Sequence, residues 1–472
     1  MSLSDHPKAY GTAALTAAFA AGILVTLGFK DFYPDLERRY QLQRKENKPR
    51  TSTSDSRRRS SVFFGGGGPV FLEDHDTPET TPSIVDGIEG CIGNTPLIRI
   101  KSLSEATGCD ILAKAEFLNG AGMSPKDRVA LNMIQKAEEQ GLLVPGRGDT
   151  IYEGTVGSTG ISLATLAKAR GYHAHICMPS DQSSEKVDLL HHLGATVERV
   201  TPAPIVDPNH YVNIARRRAA EHNASSETPS RGFFADQFES EANYEAHMLT
   251  TGPEIYAQTG GKIDAFVAGA GTGGTLSGVT RYLKVEKQLT NLRAVLADPY
   301  GSGGYNRIRS GVMYSPTEKE GTRRRSQVDS IVEGIGINRV TLNWKAGEKF
   351  VDDAVRVTDE QACRMARWLV QHDGIFVGSS SAVNCVAAVV TALGMPRGSV
   401  VVTVLCDPGM RHLSKFYKRV KDLGLEENEE EESKHVVVAD KNNEGDLVAS
   451  LGIEEALKVK RRGGGRSREE EE

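Results

Sequence analysis

Four short stretches of the sequence place residues able to do chemistry where a helix is about to start. Ser124-Pro125-Lys126-Asp127-Arg128 opens a helical pattern with a lysine in its first turn. Such a lysine is most often surface charge; desolvated, it loses its proton readily and becomes an amine nucleophile for a carbonyl. Pro125 suits the first helical turn, and the positive helix end favours the neutral amine further. Glu153-Gly154-Thr155-Val156-Gly157-Ser158-Thr159-Gly160 follows a strand-like stretch and precedes an apolar helix. Its three hydroxyls and three glycines exceed what a simple Ser/Thr cap requires and form a ready anion site. Gly269-Ala270-Gly271-Thr272-Gly273-Gly274-Thr275 has the composition of a phosphate cradle between a strand and a helix. It also fits GxGxxG, and Asp298 stands 24 residues beyond Gly274, so a dinucleotide site is a rival reading. Val377-Gly378-Ser379-Ser380-Ser381-Ala382 serves either as a helix cap or as a neutral hydroxyl offered to a ring nitrogen.

These loops need elements to hold them. Short apolar runs at 111–115, 175–178, 265–268, 294–297 and 400–405 have the length of buried strands. Helical patterns at 126–140, 161–170, 184–193 and 275–287 lie between them. This alternation predicts an α/β fold with mainly parallel sheets, whose ligands sit in loops at the carboxyl ends of strands. The chain has 472 residues, 39% hydrophobic and 25% charged, enough for a large core. Its globular stretch, 80–424, is long for one sheet and predicts two α/β domains. A net charge of -5 disfavours nucleic acid as the main partner. The six cysteines show no CxxC pair and no zinc spacing with histidine, which predicts reduced core thiols and no metal.

The ends differ in composition. Residues 9–29 carry no charge and are followed by a run of basic residues. A helix needs ~20 residues to cross a bilayer, and flanking basic residues stay on the cytosolic side. Residues 1–30 therefore read best as an N-terminal anchor, with a cleaved leader or a buried helix as rival readings, 31–79 as a basic, Gly-rich linker and 425–472 as an acidic, disordered tail.

Together the loops resemble the fold-type II pyridoxal-phosphate enzymes, specifically the cysteine synthase/cystathionine β-synthase family. The resemblance runs collinearly from Ile92-Gly93-Asn94-Thr95-Pro96-Leu97 through Gln237-Phe238, Asn243 and Thr250-Thr251-Gly252-Pro253-Glu254-Ile255. It continues through Val332-Glu333-Gly334-Ile335-Gly336 to Asp407-Pro408-Gly409-Met410-Arg411-His412-Leu413-Ser414. It implies two three-layer α/β domains of the tryptophan synthase β type, pyridoxal 5'-phosphate as cofactor and a homodimer. By position it makes Lys126 the lysine that binds the cofactor and moves the Cα proton. It assigns Gly271, Thr272, Gly273, Gly274 and Thr275 to the phosphate cup, Ser158 to a further cofactor contact and Ser380 to the pyridine nitrogen. Thr155, Thr159 and Gln237 are assigned to the substrate carboxylate, and Asn119 lies in the segment leading to the lysine.

The implied reaction makes L-cysteine from O-acetyl-L-serine and sulfide through an aminoacrylate. A serine facing the ring nitrogen, in place of an aspartate, leaves the ring less electron-demanding and favours β-elimination over transamination. Where the family carries Ser and Asn, this chain has Val156 and Ser158, and the spacing from Asn119 to Lys126 is one residue longer. Three alternatives stay open: use of serine with homocysteine, a cofactor-binding relic without the usual activity, and a nicotinamide dehydrogenase. The anchored N-terminus resembles a fungal branch assigned to mitochondria, which implies the outer membrane with the catalytic part facing the cytosol.

Overall fold

The computed structural model describes residues 84–463 apart from 183, 226–228, 316–329 and 426–442, all within the compact unit Thr81–Glu472. The anchor at 1–30, the linker at 31–79 and part of the tail lie outside the described residues. No helix among the described residues is long and apolar enough to cross a membrane.

Every apolar run named above is a strand. The strands are β1 Leu97–Arg99, β2 Asp110–Ala115, β3 Thr150–Gly154, β4 His173–Pro179, β5 Thr196–Val200, β6 Gly232–Phe234, β7 Ala265–Gly269, β8 Arg293–Pro299, β9 Asp353–Val357 and β10 Val400–Leu405. They form two sheets, β1-β2-β10-β7-β8-β9 and β5-β4-β3-β6. Only β1 runs antiparallel, to β2; the other pairings are parallel.

The reason the runs read as continuously apolar is that both faces of each sheet are covered. In the larger sheet Ala265, Val267, Val295, Ala297, Val401 and Leu405 face one core, while Phe266, Ala268, Leu296, Val402 and Val404 face another. The first core is closed by α5, Asp359–Asp373, and α6, Ser379–Ala392. All of α6 is buried. The second contains α4, Gly274–Arg281. The smaller sheet packs on α1, Lys126–Glu139, and α2, Ser158–Ala169, while α3, Tyr211–Ala224, covers its other face.

The acidic tail departs from its expected disorder. Its described part forms α7, Glu444–Leu451, and α8, Glu454–Gly463. Leu447, Leu451 and Ile453 are completely buried in the core beside α5. Arg364 and Gln361 of α5 donate to the carbonyls of Ser450 and Gly452 at 3.3 and 2.8 Å. Overall charge composition concealed a short apolar stripe, which needs only one neighbouring helix to become a folded element.

Candidate active site

Parallel strands end together, and the two sheets bring several such ends beside one another. The segment after β2 leads to Lys126, and the loop after β3 carries Thr155, Ser158 and Thr159. Gln237 follows β6, the glycine loop follows β7, and Cys406 and Asp407 follow β10.

Lys126 is the first residue of α1 behind Pro125. Among the described residues its backbone N–H meets Ser124 Oγ at 3.3 Å, while its ammonium has no hydrogen bond or ion pair. Burial lowers the lysine's pKa, against the opposing influence of Cys406, Asp407, Glu116 and Asp127. The turn before it is tied down by Asn119. Its side-chain N–H groups donate to Glu116 Oε2 (3.0 Å) and to the carbonyls of Glu116 (2.8 Å) and Ser124 (3.2 Å). Its Oδ1 accepts from Gly93 N at 2.8 Å. Asp127 holds the same turn from the other side, accepting from Gly122 N (2.7 Å) and Ser162 Oγ (2.5 Å).

The glycine loop makes a cradle for steric reasons. Gly273 has φ +90°, and a Cβ there would lie 2.7 Å from the Trp344 backbone. At Gly274 a Cβ would lie 1.9 Å from Asn243 Oδ1. The loop therefore runs tight against its neighbours into the start of α4. The amides of Gly271, Thr272, Gly273 and Thr275 meet no acceptor among the described residues. Two buried side chains hold its hydroxyls from behind: Asn243 Nδ2 donates to Thr272 Oγ1 at 2.9 Å, and His247 Nε2 lies 3.1 Å from Thr275 Oγ1. Burial, helped by the charges of Lys126 and Arg128, holds the His247 pKa well below its ordinary value, so the ring is neutral.

The serine run divides its work. Ser379 Oγ accepts from Glu333 N at 3.0 Å, and Ser381 Oγ accepts from Cys406 N at 2.8 Å. Ser380 is left facing the thiol of Cys406, whose pKa burial and Asp407 push up to about 11, against the opposing influence of Ser380 and Lys126. In the Thr155–Thr159 loop Thr159 Oγ1 donates to Gln237 Oε1 at 2.6 Å, and Gly157 N donates to Thr155 Oγ1 at 3.3 Å. Ser158 opens α2 half-buried, and its hydroxyl has no partner among the described residues.

The structure thus gathers Lys126, the glycine loop, the Thr155–Thr159 stretch, Gln237 and Ser380 around neighbouring strand ends. Sequence reading missed Cys406 beside Lys126, His247 behind Thr275 and the tether role of Asn243. Asn243 was visible as a motif residue; for Cys406 and His247 no local spacing gave a signal. Asp298, which a ribose hydroxyl would require, is buried and accepts from Tyr305 N at 2.6 Å; burial pushes its carboxyl up to about 6. All six cysteines are free, and four are buried; Cys91 is exposed and Cys406 half-buried. Elsewhere, His175, Cys177 and Glu198 bring ligand-type atoms within 4.8 Å of one another. Adjacent strands create this group, which linear spacing could not show, but Arg218 already holds both Glu198 oxygens at 3.0 and 2.8 Å.

A phosphorylated pyridine aldehyde fits these residues: an unpaired desolvated amine, a cradle of free amides at a helix start, and a hydroxyl facing only a thiol. Comparison with known proteins agrees. The chain is 67% identical over 466 residues to "Cysteine synthase 2" of Neurospora crassa, covering 96% of this chain and 99% of that protein. It is 57% identical over 346 residues to a Saccharomyces cerevisiae cysteine synthase whose description includes the word mitochondrial, covering 72% and 87%. The crystal structure of O-ureido-L-serine synthase superposes with TM-score 0.62 at 30% identity, covering 75% of this chain and 100% of that one. With a family model matching residues 88–407, lysine, cradle and strand ends together place the chain among the pyridoxal-phosphate dependent enzymes.

Proposed function

We propose that this chain is a pyridoxal-phosphate-dependent cysteine synthase that joins O-acetyl-L-serine and sulfide. The observation that carries the reading is the unpaired, desolvated Lys126 amine at the same set of strand ends as the phosphate cradle. The reading draws on the relatives' names for its substrates.

When bound, the cofactor supplies an electron sink for the substrate Cα. Lys126 would hold it through its amine, and that amine would also move the proton at the substrate Cα. The amides and hydroxyls of Gly271, Thr272, Gly273, Gly274 and Thr275 bind the phosphate, and Ser380 offers the ring nitrogen a hydrogen bond without a full proton. Thr155, Thr159 and Gln237 orient the substrate carboxylate, with the free Ser158 hydroxyl beside them. The substrate loses acetate from Cβ with the Cα proton; hydrosulfide then adds to Cβ and Cα is reprotonated.

The test is cysteine formation by the full chain loaded with cofactor, from O-acetylserine and sulfide, against Lys126→Ala. Product from the wild type and none from the variant is the expected result. Faster turnover of serine with homocysteine would overturn the substrate assignment, and a loaded protein inactive with both pairs would overturn the enzyme reading.

The proposal extends to place and assembly. A homodimer follows from the family resemblance, and light scattering tests it. The uncharged 9–29 segment, the basic residues after it and the mitochondrial relative support a mitochondrial outer-membrane anchor. Protease added to intact mitochondria should digest the catalytic part; protection would overturn the cytosol-facing orientation.

A further inference from the structure

The phosphate cup and the substrate loop belong to different sheets, yet one buried line of hydrogen bonds joins them. Thr272, Asn243, Gln237 and Thr159 are 6%, 1%, 4% and 2% exposed. Asn243 Nδ2 uses one hydrogen on Thr272 Oγ1 (2.9 Å) and the other on the Gln237 carbonyl (2.7 Å). Gln237 Oε1 then accepts from Thr159 Oγ1 at 2.6 Å, and its Nε2 approaches the Gly154 carbonyl at 3.4 Å.

The donor count at Thr272 gives this line a direction. A hydroxyl has one hydrogen and two lone pairs. Thr272 Oγ1 already accepts from Asn243 Nδ2 and, at 3.4 Å, from Gly274 N. Its own proton is therefore left to donate, and the free amides around it define where an anion sits. Turning the Asn243 amide over would face its Oδ1 toward the Gln237 carbonyl, an acceptor, and would draw the Thr272 proton away from the loop amides. Its Oδ1 already lies buried without a partner against Gly274. A buried amide oxygen with nothing to accept is costly, and it persists here because the Nδ2 end is needed at two places.

We infer that Asn243 is a positioning residue that fixes Thr272 as a phosphate donor and, through Gln237 and Thr159, couples filling of the phosphate cup to the state of the substrate loop. The inference rests on the cysteine synthase reading for the identity of the two ligands. It makes affinity for the cofactor's phosphate and affinity for an amino acid carboxylate two ends of one equilibrium.

The test uses the full chain with Asn243→Asp. A carboxylate at this position takes the Thr272 proton for itself and adds negative charge behind the cup. Apoprotein is titrated with pyridoxal phosphate and with pyridoxal, which lacks the phosphate. Asn243→Asp should weaken the phosphorylated form by at least about tenfold and leave pyridoxal within about twofold. L-Alanine, which has a carboxylate but no leaving group, is then added while the phosphorus NMR signal of the bound cofactor is followed. In the wild type the signal should move, and in Asn243→Asp and Thr272→Val it should stay where it is. Thr272→Val cuts the same line at its other end and carries the test if Asn243→Asp does not fold. Equal weakening of pyridoxal phosphate and pyridoxal would overturn the inference, as would an alanine response that survives in the variants. Wild-type protein that binds no pyridoxal phosphate would instead sink the functional reading beneath it.

Discussion

Glu116 accepts from both Nε and Nη2 of Arg128 at 2.8 Å, and neither side chain is more than 1% exposed. Arg128 Nη1 reaches on to Glu254 at 2.6 Å, and Glu254 in turn meets the buried ammonium of Lys114 at 2.6 Å. Two residues upstream of this arginine stands Lys126, so the ion-pair network fixes the helix turn that presents the amine. Glu116→Gln halves the charge that compensates Arg128. The expected result is a loss of roughly 3–5 kcal/mol in urea unfolding. Cofactor loading should fall with it, as read from visible absorption.

Glu153, at the end of β3 before the Thr155–Thr159 loop, shifts in the opposite sense from an ion-paired carboxylate. Burial, with Asp236 adding, pushes its pKa up to about 8 from an ordinary 4.5. The folded chain therefore keeps a proton that the unfolded chain releases above 4.5. Its contribution to stability is whole below that pH and is lost as pH rises toward the folded value, at roughly 1.4 kcal/mol per pH unit. Glu153→Gln should flatten this slope in urea melts taken across the window. An unchanged slope would show that the carboxyl is ionised in the fold.

At the phosphate cradle, Gly273→Ala forces a side chain into φ +90° and against the Trp344 backbone. The cost is about 1–3 kcal/mol in local strain. Pyridoxal phosphate affinity should fall by about tenfold or more, in a direct titration of the apoprotein.

Under the proposed role of the Thr155–Thr159 loop in holding the substrate carboxylate, Val156 is the loop position that brings no hydroxyl. Val156→Ser should lower KM for O-acetylserine by roughly threefold to tenfold, with a smaller change in kcat, because an added ground-state contact acts on binding. Steady-state kinetics on the two proteins decides it. An unchanged KM would mean that Ser158 and the loop amides already satisfy the carboxylate.

For the C-terminal helices, Leu451→Ala leaves a hole where a completely buried side chain fills the core. A loss of about 2–5 kcal/mol is expected in urea unfolding. Stability unchanged by this substitution would place the helix outside the cooperative unit.

Much of the fold was legible because β2, β4, β7, β8 and β10 are central strands, apolar on both faces and bounded by turn residues. The strands that escaped notice are short or polar edges. β1 and β6 have three residues each, and β5, Thr-Val-Glu-Arg-Val, is an edge strand half open to water. β9, Asp353–Val357, begins and interrupts its apolar pattern with charged residues that have polar partners: Asp353 takes Arg293 of the neighbouring strand and Arg309 of the helix Gly304–Ser310, and Arg356 donates to Asn306. The helix expected over 275–287 is interrupted, since α4 ends at Arg281 and a wider turn continues to Glu286. At the site, residues inside contiguous motifs were legible. Cys406 and His247 were not, because their neighbours come from distant parts of the chain and tertiary packing alone brings them together. The packed helices of the tail were missed for a compositional reason: glutamate runs outweighed a few leucines.

The position of β10 has a consequence for synthesis. It lies between β2 and β7, pairing with Asp110–Ala115 on one side and Ala265 and Phe266 on the other. The smaller sheet is encoded without interruption between Thr150 and Phe234, so it can assemble as soon as that stretch leaves the ribosome. The larger sheet has a gap at its centre until residues 400–405 arrive, and its core is completed only by Leu447, Leu451 and Ile453 near the chain's end. For most of translation β2 and β7 therefore expose strand edges that later pair with β10. Unpaired edges of this kind are templates for pairing with other chains, which makes that interval the one in which the chain is most exposed to misassembly.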